Sequence, residues 1–183
     1  MNLVDISALT VADVLAIWSL TSRPDTSMAG TVGCSFEGKG IRTRTAFLQA
    51  FRELGLQFTE LPNLLKSSER TCDLAGYLDS SYSMFVIREA NHSRLAEFAN
   101  VSCRPVINAM SAQGHPCEVL TDAFFINTEV KEVSGARVCL LGPTSPVGTL
   151  QTLVDPQASA PRFAIPEQLV NRDAAGRSGA VRG

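Results

Sequence analysis

Arg42, Thr43 and Arg44 follow a short apolar run, residues 31–36, at the point where helical spacing begins. Two guanidinium groups and a hydroxyl at a helix N-terminus make a natural dock for a doubly charged phosphate. Open backbone amides and the helix dipole add there to the side-chain cations. Arg88 closes a second apolar run, residues 84–87, and a guanidinium fork can hold phosphate oxygens in a bidentate contact. His115, one of only two histidines, stands before Pro116 at the start of a long helical stretch. Taken singly, these residues have plain readings. An arginine after a strand usually has a carboxylate nearby, and Glu89 is adjacent; a histidine before proline usually only opens a helix. The stretch from Gly33 to Gly40 almost fits the phosphate-cradling pattern G-x-x-x-x-G-K-[ST]. It ends in glycine where magnesium needs a hydroxyl, and it carries Glu37 inside the cradle, so that reading is set aside.

The elements that must position these residues follow from periodicity and punctuation. Helical spacing predicts helices over residues 10–22, with Val14, Leu15 and Trp18 on one face, and over 43–54, with Phe47, Leu48, Phe51 and Leu54 inward. Further helices are predicted over 67–78, opened by a serine cap, over 92–101 and over 116–129. Strands are predicted over 31–36, 56–61, 84–87, 105–109 and 137–141. The 84–87 run is apolar on both faces, as in a covered parallel sheet. This alternation predicts an α/β fold, a parallel sheet with helices on both faces. In such sheets ligands gather beyond the C-terminal ends of the strands, where the 36–44 stretch, Arg88 and His115 all fall. After Pro143 the pattern weakens to one helix over 144–154 and one strand over 162–165. The expected organisation is therefore a first domain over 1–134, a short incomplete second unit over 135–170 and a disordered tail over 171–183.

Composition bounds the chemistry. The chain has 183 residues, 45% hydrophobic and 19% charged, with a formal charge of −2, which gives no electrostatic footing for nucleic acid. No apolar stretch approaches the ~20 residues of a spanning helix, so no membrane is expected, and the expected location is the cytoplasm. Five cysteines, at 34, 72, 103, 117 and 139, form no C-x-x-C pair. They are expected to be reduced, small apolar side chains, with no metal site and no cofactor.

The order of F-E-G-K-G-I-R-T-R (36–44), I-R (87–88) and H-P-C-E (115–118) resembles the carbamoyl-phosphate-binding half of the aspartate/ornithine carbamoyltransferase family. That family carries F-E-x-x-S-T-R-T-R after a strand, a later strand ending in arginine, and H-P-x-Q opening a helix. Thr71 to Asp79, Leu95 to Ala109 and Leu120-Thr121-Asp122 extend the likeness over residues 7–141. The resemblance implies the family's fold and transfer of the carbamoyl group from carbamoyl phosphate to an amino-acid amine. It implies a phosphate site from Gly40, Ile41, Arg42, Thr43 and Arg88, with His115 as the donor to the carbonyl oxygen and Glu118 beside the carbamoyl amine. His115 and Arg88 are its implied catalytic residues. Arg44 is expected to be a supporting salt bridge. A homotrimer, or association with a full-length relative, is the implied assembly, and the acceptor amino acid is left open.

Departures are concrete. Gly40 and Ile41 stand where the family has Ser-Thr, so two hydroxyls are missing; Glu118 stands for glutamine and brings a charge that repels a dianion. The loop around Lys66 lacks the family's G-E-S. The region that would recognise the acceptor amounts to about forty residues, with neither H-C-L-P nor S-M-G. The alternative function is therefore a non-catalytic relative that binds the anion or carbamoyl phosphate and serves as an assembly partner.

Overall fold

The structure, a computed structural model, describes residues 2–22, 28–38 and 40–130. Four strands form a parallel sheet: β1 (Thr31–Phe36), β2 (Gln57–Glu60), β3 (Met84–Arg88) and β4 (Val106–Met110), in the order β2-β1-β3-β4. The helices are α1 (Val11–Leu20), α2 (Ile41–Glu53), α3 (Thr71–Leu78), α4 (His92–Val101) and α5 (Pro116–Phe125). The chain leaves β1 toward one edge and returns from β2 across it to β3. Right-handed crossovers in opposite directions put the connecting helices on opposite faces. The order therefore reverses between β1 and β3, and a crevice opens there at the C-terminal strand ends.

Period-two alternation along β3 feeds two cores. Phe85 and Ile87 join Leu95, Phe98, Ala75 and Val106 on the α3/α4 face, while Val86 joins Val32, Cys34, Leu48 and Phe51 on the α2 face. Phe85 and Phe98 meet edge-to-face at 5.1 Å, and both are fully buried. The expected α/β architecture is thus the observed one. Beyond the sheet, Leu3 bridges Ile107 in parallel, and Asn108 donates its side-chain amide to the carbonyl of Val4 at 2.9 Å.

Several local expectations need correction. The helix expected from Ser67 begins at Thr71, because Arg94 donates to the carbonyls of Ser67 and Glu69, both at 2.7 Å, and holds 67–70 as a loop. α2 starts two residues before Thr43, at Ile41. α5 ends at Phe125 and widens into a π-turn, Ile126–Val130, where the Thr128 hydroxyl donates to the carbonyl of Phe124. Leu15 is 42% exposed: α1 reaches the body through Trp18, whose indole donates to the carbonyl of Leu120. Cys72 and Cys103 are exposed rather than packed. The strand over 137–141, the elements after it, the unit over 135–170 and the tail over 171–183 lie outside the described residues, as does Cys139.

Candidate functional site

Three strand ends build one cleft. β1 delivers Glu37, Gly38 and, from Gly40, the start of α2; β3 delivers Arg88; β4 delivers Met110 and the loop into His115. The cleft, of about 820 Å³, is lined by Gly40, Ile41, Arg42, Thr43, Arg88, His115 and Glu118. All seven of the residues singled out in the sequence thus reach the same cleft, from α2 on one side and α5 on the other. Arg44 does not belong with them. It turns toward β2 and makes a two-pronged salt bridge with Glu60, at 2.6 and 2.8 Å, as expected of a supporting residue.

Gly40 occupies the N-cap of α2, and no side chain caps that end. Its missing side chain is filled by Arg88. A Cβ there would lie 2.6 Å from Nη1 and 2.7 Å from Cζ, so the guanidinium packs directly over the glycine. From that seat Arg88 donates to Thr43 Oγ1 at 3.2 Å. The cation thus sits at the positive end of a helix dipole, an unfavourable place unless an anion joins both. Among the described residues, no carboxylate lies within ion-pairing distance of Arg42 or Arg88. Glu89, the neighbour that might have neutralised Arg88, points to the other face of the sheet and pairs with Lys66 at 2.8 Å.

His115 is buried and opens α5 with Pro116 behind it. Its Nε2 faces Glu118 Oε2 at 3.6 Å, and its Nδ1 has no partner among the described residues. Burial pushes its pKa below the ordinary 6.5; Glu118 opposes that shift and the Arg88 cation adds to it. A neutral imidazole carrying hydrogen on Nε2 is the form that suits the Glu118 side. It can donate to a carbonyl oxygen in the cleft. The cleft also holds Cys117, whose thiol burial pushes up to about 12. A thiol so hard to ionise is a packing group and not a nucleophile.

The sequence reading missed several lining residues. Asp122 lies one turn beyond Glu118, and burial, then the Glu118 charge, raises its pKa; its i+4 spacing from Glu118 was the available signal. Met110 lines the cleft with a φ of 140°, beside a register shift between Ile87 and Arg88. A side-chain-bearing residue in that region is strained, and such strain gathers at functional edges. Nothing in the sequence signals it. Among the described residues no group of histidines, cysteines and carboxylates could hold a metal ion, and no helix is long and apolar enough to cross a membrane.

Comparison with known proteins gives a consistent picture. The family model for the carbamoyl-P binding domain of aspartate/ornithine carbamoyltransferase matches residues 4–128. An ornithine carbamoyltransferase of Rhizobium johnstonii is 30% identical over 84% of this chain and 54% of its own length. One from Methanococcus aeolicus is 34% identical over 61% of this chain and 38% of its own. Among solved structures, the ornithine carbamoyltransferase of Gloeobacter violaceus superposes with a TM-score of 0.69 at 26% identity, over 80% of this chain and 51% of that one. The anabolic enzyme of Campylobacter jejuni gives 0.63 at 30%, over 69% and 44%. The chain therefore spans about half the length, or less, of these relatives.

Proposed function

Because this chain belongs to the aspartate/ornithine carbamoyltransferase family, we infer that its cleft binds carbamoyl phosphate and presents the carbamoyl carbon to an amino-acid amine. The observation that carries this reading is the pair Arg42 and Arg88, which carry no carboxylate partner among the described residues and gather at the uncapped N-terminus of α2. Two forks and open amides match a dianion. Thr43 contributes its hydroxyl, and Gly40 and Ile41 contribute backbone donors in place of hydroxyls. His115 donates to the carbonyl oxygen, which gains charge as the amine nitrogen attacks the carbon. The C–O bond to phosphate then breaks. An ammonium substrate and carbamoyl phosphate dianion become a ureido product, hydrogen phosphate dianion and one released proton. No covalent enzyme intermediate is required, so positioning and electrostatics carry the rate.

In this reading residues 1–134 form the carbamoyl-phosphate unit, and the acceptor side is completed by the remainder of the chain, a second copy or a full-length relative. Glu118, which lines the α5 side of the cleft where the family has glutamine, supports an alternative: a relative that binds the anion and assembles without turnover. Incubation with carbamoyl phosphate and a panel of amino acids, including ornithine and aspartate, separates the two. Amine-dependent phosphate release, with a ureido product found by mass spectrometry, supports the enzyme. Binding without release, alone or with a candidate relative, supports the alternative.

A further inference from the structure

Behind the cleft, on the α3/α4 face of the sheet, three side chains form a separate cluster. Lys66, from the 3-10 turn Leu64–Lys66, places its ammonium 3.0 Å from Glu37 Oε1 and 2.8 Å from Glu89 Oε1. Glu89 is buried, 3% exposed, so its charge needs a partner. Glu37 is the first residue after β1 and Glu89 the first after β3. Each is also tied into the backbone: the Ala90 amide donates to Glu37 Oε2 and the Asn91 amide to Glu89 Oε1, both at 2.8 Å. The Glu37 amide in turn donates to the carbonyl of Arg88 at 3.1 Å.

Strand alternation gives this cluster its meaning. Glu89 and Glu37 point backward from the positions that follow Arg88 and Phe36, while Arg88 points forward over Gly40. Resting on the anion-binding reading above, we propose that Lys66 is a positioning residue for the cleft. Its ammonium clamps the ends of β1 and β3 from behind and pairs with two carboxylates on the reverse side of the anion site, offsetting one of their two negative charges. Without it, Glu37 loses a charged partner at the root of the loop to Gly40. Glu89 is left as an uncompensated buried charge one residue from Arg88. The hydrogen bonds that Lys66 donates to Glu89 and Glu37 hold its pKa above the ordinary value, so the clamp stays charged through the neutral range.

The test compares wild type with Lys66→Met, Lys66→Arg and the paired variant Lys66→Met/Glu89→Gln. Two readouts are followed: amide hydrogen exchange at Ala90 and Asn91, and titration with inorganic phosphate. Lys66→Met should speed exchange at Ala90 about fivefold or more, while Phe98 and Ala99 in α4 keep wild-type protection. Its phosphate affinity should fall about five- to tenfold, and Lys66→Arg should restore both to within about twofold. Should Lys66→Met fail to fold, the paired variant removes the buried charge. It should fold, yet still show fast Ala90 exchange and weakened phosphate binding. Wild-type exchange and wild-type affinity in the Met-containing variants would overturn the clamp. If wild type holds no phosphate but Ala90 protection still depends on Lys66, the anion reading falls and the clamp stands.

Discussion

Gly40→Ala is the substitution that most directly probes how Arg88 is seated. The added Cβ would stand 2.6–2.8 Å from three guanidinium atoms. Reaching ordinary contact requires the guanidinium to retreat by about 0.8 Å, which stretches its 3.2 Å bond to Thr43 beyond useful length. Because the obstructing group is the tip of a flexible side chain, the fold should absorb the change. The expected stability loss is about 0.5–1 kcal/mol, mostly from alanine's poor fit at an N-cap. Binding should suffer more than folding. A charge-assisted hydrogen bond contributes about 1.5–3 kcal/mol, and a displaced rather than deleted cation should lose roughly half of that, about a three- to twelvefold weakening for carbamoyl phosphate. Gly40→Ser separates the effects. Its hydroxyl can cap α2 and recover stability, while its Cβ displaces Arg88 as alanine does. The assay is calorimetric titration with carbamoyl phosphate beside urea denaturation of the same samples. If Gly40→Ala binds as tightly as wild type, the packing of Arg88 over Gly40 has no bearing on the site.

Arg42→Ala removes a cation that has no carboxylate partner among the described residues, and should weaken carbamoyl phosphate by about 1.5–3 kcal/mol with little change in denaturation midpoint. Glu118→Gln removes a negative charge from the cleft, so it should tighten binding. It should also lower the Asp122 pKa by deleting one of the causes that raise it, which carboxyl-selective NMR titration reads. For His115 the folded pKa lies below the ordinary 6.5 because of burial, so its neutral form favours folding above that pH. The benefit is lost as pH falls through the folded pKa. Denaturation of wild type and His115→Gln across pH 4–8 should therefore converge toward the acid end if the two are parallel at neutral pH. Phe98→Ala empties a fully buried position against Phe85 and should cost about 3–5 kcal/mol, leaving the affinity of the folded fraction unchanged.

What could be read from the chain was what local rules govern. The covered strand β3, with apolar residues on both faces, and α4, opened by the Asn91 cap that accepts from the Arg94 amide, were legible from spacing alone. So was the convergence of Arg42, Arg88 and His115, since a parallel sheet gathers its strand ends on one edge. What escaped depends on contacts distant in sequence. Ser67 has the type of a cap, but Arg94 takes the carbonyls of its loop from 27 and 25 residues away. Glu89 looked like a partner for Arg88 because it is adjacent. Adjacency on a strand sends two side chains to opposite faces, and the actual partner, Lys66, lies 23 residues upstream. The strained Met110 left no trace in residue type.

The central claim is that this cleft is built for a phosphate dianion carrying a carbamoyl group, with Arg88 as one of its two forks. Titration of wild type and Arg88→Ala with carbamoyl phosphate, in the same buffer and at the same salt, tests it most directly. The account predicts saturable binding at one site per chain in wild type, and at least about tenfold weaker binding in Arg88→Ala while the fold is retained. No binding in wild type, or equal affinity in the two proteins, would contradict it.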